Sequence, residues 1–383
     1  MRRAALPREF SFLGSLLRKS ISPTHSYALA TARRFSRIDC PASPGSRPAP
    51  AMAVPATMKS IVVNGHADLA QVTMELEEVA TPQPKEGEVL IKLVAAPLNP
   101  SDYGAWRGGG QFRNQGKEGA GVVVASGGGA AADALVGKGV GIAAMQGCSY
   151  QQYTTMPATS LYPLPDGLAP EDAASFWVNP YTAVGIVETV REKKSPAFIH
   201  TAAASQLGQM LVKFCKAEGV GLVNVVRREE QAETLRQLGA EHVVVTDKEG
   251  WQDQLKGLVK DLKITVAFDA IAGGNSAQLL GVLPAGSTCF VYGRLSGEDL
   301  HSVNVGDLIY STKTVAGWLM PTWLFGAPER NAAASAKVLP ALKAGWASST
   351  FVDSHPSKVH EELAKLATGG FTNKKLRVRW DQM

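Results

Sequence analysis

Residues 197–228 combine the features needed to bind a pyrophosphate group. The apolar run Ala197–His200 predicts a short strand, and Thr201–Ser205 then supplies only small side chains, so a ligand can approach the backbone closely. Apolar residues recur at helical spacing at positions 207, 210, 211 and 214. The turn therefore leads into a helix N-terminus, where free N–H groups and the helix dipole stabilise a phosphate. The expected cofactor contacts here are Ala204, Ser205, Gln206, Leu207 and Gly208.

The next predicted strand ends at two arginines, Arg227 and Arg228. An enzyme that uses NAD places an acid near this point to bond the ribose hydroxyls, whereas arginines suit the 2′-phosphate of NADPH. NADPH is therefore the expected cofactor, with Arg228 as the first candidate for its phosphate and Arg227 as the second. Only Gly208 remains of the three glycines of the usual fingerprint. The alternative is an ordinary strand–helix–strand unit with solvated arginines.

The composition indicates a soluble α/β protein with a large core. The chain has 383 residues, of which 45% are hydrophobic and 38 are glycine, as expected for two domains with many tight turns. Residues 1–57 carry nine basic and two acidic residues, so the remainder of the chain has a net charge of about −2 despite the overall +5. This remainder lacks the basic stripe of a nucleic-acid-binding protein. No apolar run reaches the roughly 18 residues of a membrane span. We therefore expect the protein to bind neither nucleic acid nor a membrane.

Residues 1–57 are rich in Arg, Ser, Ala and Pro, and we interpret them as a disordered transit peptide. The segment Arg33–Ser36 resembles a mitochondrial processing site, with cleavage expected after Phe35. The expected location is the mitochondrial matrix, and a plastid is the alternative because plastid presequences have a similar composition. A disordered tail and an alternative start at Met58 also remain open.

The cysteines are too few and too widely spaced for a metal lobe or a disulfide framework. They stand at positions 40, 148, 215 and 289, without a C-x-x-C pair. Cys215 and Cys289 lie in apolar contexts and are predicted to be buried and structural.

Two patterns of predicted elements follow the first segment. Residues 58–180 are rich in β-branched runs and glycine, with strands predicted at 88–94, 121–124 and 140–144, and indicate a small β-barrel. Residues 181–322 alternate strands and helices, with strands predicted at 220–226, 243–245, 264–269, 289–292 and 314–318, and indicate a doubly wound parallel sheet. Residues 323–383, with a helix at 360–367 and a strand at 376–378, are expected to return and complete the first domain.

Six short motifs occur in order at 98–102 (LNPSD), 116–121 (GKEGAG), 178–183 (VNPYTA), 224–227 (NVVR), 238–243 (LGAEHV) and 317–319 (GWL). In these motifs residues 58–383 resemble the medium-chain dehydrogenase/reductases, within them the zinc-free quinone oxidoreductases and mitochondrial trans-2-enoyl thioester reductases. The resemblance implies an α/β fold with a GroES-like β-barrel catalytic domain and a Rossmann NADPH-binding domain. It also implies a homodimer, formed at the exposed edge strand 314–318.

The resemblance also bears on metal binding. Zinc alcohol dehydrogenases of this superfamily hold their catalytic metal with Cys, His and Cys at the positions occupied here by Asn99, Lys117 and Val178. An amide, an ammonium and an isopropyl group do not replace those ligands, so no metal is expected. Hydride transfer without a Lewis acid favours acceptors activated by conjugation, because their charge delocalises onto an oxygen held by hydrogen-bond donors.

The expected activity is therefore NADPH-dependent reduction of an enone, an enal or a quinone. A mitochondrial trans-2-enoyl-CoA or acyl-carrier-protein reductase of fatty acid synthesis is one alternative. An alternative of another class is a non-catalytic NADPH-binding sensor or crystallin-like protein.

The resemblance places Thr182 beside the nicotinamide, although a helix N-cap after Pro180 is an equally simple explanation. Lys374 corresponds to a lysine that reaches the cofactor, with a solvated basic tail as the alternative. Further cofactor contacts are expected at the ends of two strands, from Ala272, Gly273, Tyr292 and Gly293.

The catalytic tyrosine of the enoyl reductases is missing, because Gly110 stands at its position. Tyr103 is the expected replacement, with Asn99 and Asp102 as the other catalytic candidates on the same loop. Tyr153 is a less suitable candidate, and a bound water, Lys117 or a backbone amide are the remaining alternatives for the donor.

Overall fold

The computed structural model describes residues 53–343, 345–369 and 373–383. The predicted processing site and nearly all of the predicted transit peptide lie outside the described residues. Sixteen strands are present in this part of the chain: β1 (Thr57–Gly65), β2 (Thr73–Ala80), β3 (Glu88–Pro97), β4 (Gly110–Phe112), β5 (Glu118–Ser126), β6 (Gly139–Ala143), β7 (Tyr153–Pro157), β8 (Tyr162–Pro163), β9 (Ala197–His200), β10 (Gly221–Val226), β11 (His242–Val245), β12 (Val266–Asp269), β13 (Thr288–Val291), β14 (Thr314–Gly317), β15 (Phe351–Ser354) and β16 (Lys375–Arg379).

Twelve α-helices are present in the described residues: α1 (Pro100–Trp106), α2 (Ala130–Asp133), α3 (Pro170–Ala173), α4 (Val178–Glu192), α5 (Gln206–Glu218), α6 (Glu229–Gln237), α7 (Trp251–Asp261), α8 (Gly274–Val282), α9 (Val305–Ile309), α10 (Met320–Phe325), α11 (Pro328–Ala341) and α12 (Val359–Ala367). None of them is long and apolar enough to cross a bilayer. Cys148, Cys215 and Cys289 are buried free thiols.

Six parallel strands form a sheet in the order β11-β10-β9-β12-β13-β14. This is a doubly wound parallel sheet, as predicted from the sequence, and the order in which the chain adds strands changes direction between β9 and β12. The strands β9 and β12 are buried along their whole length, as expected for parallel strands covered by helices on both faces. Because β9 and β12 are neighbours at the reversal, the turn after one and the loop after the other border the same crevice.

The other strands form the predicted β-barrel part of the α/β fold. One sheet has the order β15-β16-β3-β5-β6-β8, with β7 also paired to β3, and a second sheet has the order β2-β1-β4. At Gly121 in β5 a Cβ atom would lie 2.2 Å from the carbonyl oxygen of Lys92, so the approach of β3 requires glycine. The C-terminal strand β16 pairs antiparallel with β3. The domain boundaries at residues 58, 181 and 323 remain predictions.

Helix α4 corrects one expectation about Thr182. The N-cap of this helix is Trp177, and Thr182 lies inside the helix, where its Oγ1 donates to the carbonyl oxygen of Val178. Thr182 is therefore not an N-cap. The helix contacts α5, α10 and α11, and most of its residues are buried. This burial fixes the position of the cleft-facing Thr182.

Candidate functional site

A cleft of about 1760 Å³ lies along the carboxyl ends of the parallel strands and continues to the barrel. Ten of the residues predicted from the sequence line it: Tyr103, Thr182, Ala204, Ser205, Gln206, Leu207, Arg227, Tyr292, Gly293 and Lys374. Six others do not line it: Asn99, Asp102, Gly208, Arg228, Ala272 and Gly273. The structure thus brings most of the predicted cofactor residues and one predicted catalytic residue to one cleft.

The nucleotide turn has the geometry that its small residues predict. Ala202 adopts a positive φ of 50°, and Ser205 caps α5 by accepting a hydrogen bond from the amide of Gly208 at 3.2 Å. A Cβ atom on Gly208 would lie 2.0 Å from the carbonyl oxygen of Ala203, so glycine is required there even though it does not line the cleft. Other first-turn N–H groups of a helix have no intrahelical acceptor, which fits a phosphate.

Gln206 has a second role, because it connects the turn to the C-terminal segment. Its side-chain oxygen accepts from the amide of Thr350 at 2.8 Å, and its Nε2 donates to the carbonyl oxygen of Asn373. Both polar atoms of the Gln206 amide are therefore occupied by hydrogen bonds within the protein, and these bonds fix the orientation of the side chain.

The two arginines after β10 differ in their position. The amides of Arg227 and Arg228 both donate to the Oε1 atom of Gln231 at 3.1 Å, which fixes the backbone at this point. Both side chains are exposed, but only Arg227 lines the cleft. The unshielded Arg227 guanidinium at the end of β10 fits the 2′-phosphate of NADPH.

The loop after β12 is held by the buried carboxylate of Asp269. Its oxygens accept from the amides of Ile271 and Ala272 and from the Thr201 hydroxyl at 2.7–3.1 Å. Ala272 and Gly273 have positive φ values of 65° and 60° and turn the chain behind the cleft. Their neighbours, Ala270, Ile271 and Asn275, contribute the cleft surface.

Asn99 and Asp102 are buried beneath the barrel wall of the cleft. One oxygen of Asp102 accepts from the Asn99 amide at 2.9 Å and from the Tyr150 hydroxyl at 3.2 Å, and the other accepts from the Lys117 ammonium at 3.2 Å. Burial raises the pKa of Asp102, while the Lys117 ammonium acts in the opposite direction. Asp102 and Tyr103 thus lie in helix α1 rather than in a loop, and Asp102 stays behind the cleft surface while Lys117, just before β5, lines the cleft.

Glu118, next to Lys117, is fully buried and connects three parts of the chain. Its Oε2 atom accepts from the amides of Trp177 and Val178 at 2.8 and 2.9 Å, where α4 begins. Its Oε1 atom accepts from Asn99 Nδ2 at 3.0 Å and from Lys375 Nζ at 3.2 Å. The buried carboxylate stabilises the positive end of the helix dipole and holds α4 against β5 and β16.

Tyr103 is half-buried on the cleft wall, and its hydroxyl has no protein partner among the described residues. Burial and the adjacent Asp102 raise the pKa of Tyr103 to about 12, so the hydroxyl keeps its proton at neutral pH. The alternative, Tyr153, is buried and does not line the cleft.

Two residues were missed as site candidates in the sequence. His200 lies under Tyr292 at the end of β9, and Trp318 lines the cleft beyond β14. The only sequence signal for His200 is a polar residue between an apolar strand and the small-residue turn. Trp318 donates from Nε1 to the Thr189 hydroxyl at 3.1 Å, which fixes its ring against α4.

The zinc-ligand positions have side chains of the wrong chemistry for zinc. Asn99 donates its amide to Glu118, Lys117 is an ammonium donor, and Val178 is apolar. Within the described ranges no three His, Cys, Asp or Glu side chains are grouped as a metal site.

Two family descriptions match the chain. Residues 85–166 match the alcohol dehydrogenase GroES-like domain, and residues 207–337 match the zinc-binding dehydrogenase family. The mitochondrial enoyl-[acyl-carrier-protein] reductase of Bos taurus is 28% identical over 295 residues, which are 73% of this chain and 77% of that protein. The Arabidopsis thaliana protein of the same name is 26% identical over 277 residues, covering 70% and 73% of the two chains.

Solved structures have the same architecture. A candidate NADPH:quinone reductase of Mesorhizobium loti is 27% identical, with a TM-score of 0.76 over 86% of this chain and 100% of that chain. The Etr1p/NADP/crotonyl-CoA complex is 18% identical, with a TM-score of 0.70 over 84% and 99% of the two chains, and shows the shared fold. Taken with the sheet order and the two domain matches, these similarities identify the chain as a medium-chain dehydrogenase/reductase.

Proposed function

We propose that the protein is an NADPH-dependent, zinc-independent reductase that transfers hydride to a conjugated carbonyl compound or a quinone. The observation that carries this proposal is one cleft that is lined both by the nucleotide turn, Thr182 and Tyr292 and by Tyr103 and Lys117 of the barrel part. A nicotinamide bound along the strand ends would be within reach of both groups of residues. The similarity to enoyl reductases and a candidate quinone reductase supports the same chemistry.

Bound NADPH supplies the hydride, and the protein residues hold the reactants. The N-terminus of α5 would hold the pyrophosphate, Arg227 the 2′-phosphate and Thr182 the nicotinamide, and residues of all three line the cleft. The other predicted cofactor residues on the cleft, Tyr292, Gly293 and Lys374, complete this wall. Asn99 and Asp102 support the opposite wall from behind.

The absence of zinc ligands at 99, 117 and 178 restricts the acceptor. A simple ketone requires strong polarisation of its oxygen, whereas an enone, an enal or a quinone delocalises the incoming electron pair. Tyr103 lines the cleft and its hydroxyl stays protonated at neutral pH, which supports Tyr103 as the proposed proton donor. Elemental analysis of the purified protein is expected to find no stoichiometric metal, and chelators are expected to leave its activity unchanged.

A 2-enoyl thioester of fatty acid synthesis is the second candidate substrate. The similarity to mitochondrial enoyl-[acyl-carrier-protein] reductases favours it. Gly110 is an exposed residue of β4 with a φ of 91°, and it supplies no hydroxyl where that group carries tyrosine. We therefore rank enones, enals and quinones above thioesters.

The deciding experiment follows NADPH oxidation by the protein with 2-hexenal, a 2-enoyl thioester and a naphthoquinone. Turnover of 2-hexenal or the quinone above the thioester supports the first assignment, and the reverse order supports the second. NADPH binding without oxidation by any of the three would contradict an enzymatic function and favour a sensor or crystallin-like role.

The assembly follows from the edge of the parallel sheet. The outer side of β14 pairs with no other strand among the described residues, and α9 before it exposes Val305, Ile309 and, at its end, Tyr310, which is 87% exposed. An apolar edge is protected when a second copy pairs with it, so the expected state is a homodimer. A monomer by light scattering at micromolar concentration would contradict this.

Mitochondrial import is the proposed role of residues 1–57. The similar proteins from cattle and Arabidopsis thaliana are named as mitochondrial. A fluorescent fusion of residues 1–57 is expected to enter mitochondria, with the matrix as its destination. Fluorescence in plastids or the cytosol would contradict this proposal.

A further inference from the structure

Hydrogen bonds to Ser101 and Asp102 fix the Lys117 ammonium at the cleft. Its Nζ atom donates to the carbonyl oxygen of Ser101 at 2.6 Å and to Asp102 Oδ1 at 3.2 Å. The Asp102 side chain is 1% exposed, whereas the Lys117 side chain is 23% exposed and lines the cleft. The buried carboxylate therefore fixes an ammonium group that a ligand can reach.

One donor of this ammonium remains available to a ligand. An ammonium has three N–H groups, and two of them are occupied by Ser101 and Asp102 within the described part of the chain. A purely structural ion pair has no need to place one partner on the cleft surface. The arrangement instead suits a third acceptor that enters the cleft.

Lys117 is near the end of the cleft where the nicotinamide is expected. Glu118, its neighbour in the chain, binds the amides of Trp177 and Val178, so β5 is attached to the first turn of α4. Thr182 lies one turn farther along α4 and is hydrogen-bonded to Val178. Lys117 and Thr182 both line the cleft, and these attachments join their two segments, so we place the ammonium at the end where Thr182 is expected to meet the nicotinamide.

We propose that Lys117 binds the carbonyl oxygen of the substrate and stabilises the negative charge that develops there, in place of a metal ion. This inference rests on the proposed function. As the β-carbon gains the hydride, the C=C electron pair moves to form the α-carbon–carbonyl double bond, and the carbonyl pair moves to oxygen. The resulting enolate takes a proton at its α-carbon from Tyr103 or water, while Lys117 keeps its own proton. The substrate is reduced by two electrons and NADPH is oxidised to NADP⁺.

The test compares Lys117→Met, Lys117→Arg and a control, Lys256→Met, which removes an exposed lysine from α7. Loss of one donor to a developing oxyanion lowers kcat by roughly 10²–10³-fold, so we expect that loss for 2-hexenal in Lys117→Met. Lys117→Arg is expected to keep part of the rate, and Lys256→Met all of it. The Kd for NADPH, measured by fluorescence, should change less than threefold in every variant.

A second readout does not depend on turnover. The carboxylate of trans-2-hexenoate has a charged oxygen where the enolate would have one, and its binding to the NADP⁺-loaded protein is measured by calorimetry. We expect at least tenfold weaker binding in Lys117→Met than in the wild type. Unchanged hexenoate binding, an unchanged kcat, or a tenfold increase in the NADPH Kd would each overturn the role of Lys117.

Removing Lys117 leaves Asp102 without its counter-ion, so folding needs its own control. The double variant Lys117→Met/Asp102→Asn keeps an oxygen for the Asn99 amide and the Tyr150 hydroxyl but carries no buried charge. It is expected to fold and to show the same losses as Lys117→Met. If the wild-type protein reduces no acceptor, the proposed function fails, and the hexenoate comparison still decides whether Lys117 binds an oxyanion.

Discussion

The Nε2 atom of His200 lies 2.7 Å from the hydroxyl oxygen of Tyr292, and the two rings stack with centroids 5.8 Å apart. His200 ends β9 and Tyr292 follows β13, so the pair spans β12 at the floor of the cleft. The Nδ1 atom of His200 is buried without a partner among the described residues. The most economical arrangement is the neutral tautomer with hydrogen on Nε2, because an unpaired lone pair on Nδ1 is less costly than an unpaired N–H. The Tyr292 hydroxyl then keeps its own proton free to donate.

The buried imidazole predicts how the stability of the protein depends on pH. Burial lowers the pKa of His200 to about 3, from 6.5. As the pH falls below 6.5, the unfolded chain therefore takes up a proton at this histidine before the folded protein does. The free energy of unfolding then decreases by up to about 1.4 kcal/mol per pH unit until the pH approaches 3. The free energy of unfolding is measured with denaturant at several pH values between 4 and 7. It should rise less steeply with pH in His200→Gln than in the wild type. The exposed His301→Gln variant serves as the control, and equal slopes in all three proteins would contradict the prediction.

Gly208 predicts a steric effect on the cofactor turn. In Gly208→Ala the new methyl group must move the Ala203 carbonyl, and such overpacking destabilises a fold by about 1–3 kcal/mol. We expect a lower Tm and at least a tenfold higher Kd for NADPH. The matched control is Gly257→Ala in α7, where the methyl group meets open space and removes a flexible helix residue, so its Tm should stay the same or rise. NADPH binding of wild-type strength in Gly208→Ala would contradict this account of the turn.

The position of Arg227 on the cleft predicts that its side chain determines the preference for NADPH over NADH. A charge-assisted hydrogen bond to phosphate contributes about 1.5–3 kcal/mol, so Arg227→Gln should weaken NADPH binding roughly ten- to hundredfold and leave NADH binding nearly unchanged. Arg228, the first candidate from the sequence, is measured in parallel as Arg228→Gln and should have the smaller effect because it does not line the cleft. Equal kcat/KM values for NADH and NADPH in the wild-type protein would refute the phosphate site.

We predict that the Tyr103 hydroxyl donates the proton to the reduced substrate. Tyr103→Phe removes the hydroxyl on the cleft wall, and kcat for 2-hexenal should fall by roughly 10²–10³-fold while the Kd for NADPH stays constant. Tyr153→Phe, in β7 and away from the cleft, should keep the wild-type rate. Since the pKa of Tyr103 is about 12, this step should show no titration of Tyr103 below about pH 11. An unchanged kcat in Tyr103→Phe would exclude Tyr103 as the source of the proton.

The parallel sheet and the nucleotide turn were accessible from sequence because their signals are local. Short apolar runs, small turn residues and helical spacing all fall within 197–226, and the strands lie within a few residues of their predicted bounds. Helix α4 has no such signal. Buried residues lie on nearly all sides of this helix, so its sequence shows no polar stripe with helical spacing. Pro180 also suggests a later helix start than the observed one at Val178.

The inner parts of the site depend on contacts between residues far apart in the chain. Asn99 and Asp102 resemble ordinary turn residues, and their burial depends on Tyr150 and Glu118. Nothing near His200 in the sequence indicates a tyrosine 92 positions later. Such pairings follow from the order of the strands, which local spacing does not specify.

The two hydrogen bonds of the Gln206 side chain join the proposed nucleotide turn to the end of the chain. One amide side chain joins the first residue of α5 to Thr350 and Asn373, on the two segments that lead into β15 and β16. Thermodynamic coupling is reciprocal, so a nucleotide that orders this turn also raises the free energy needed to detach the C-terminal strands. We therefore expect an occupied cofactor site to oppose local opening of this terminus.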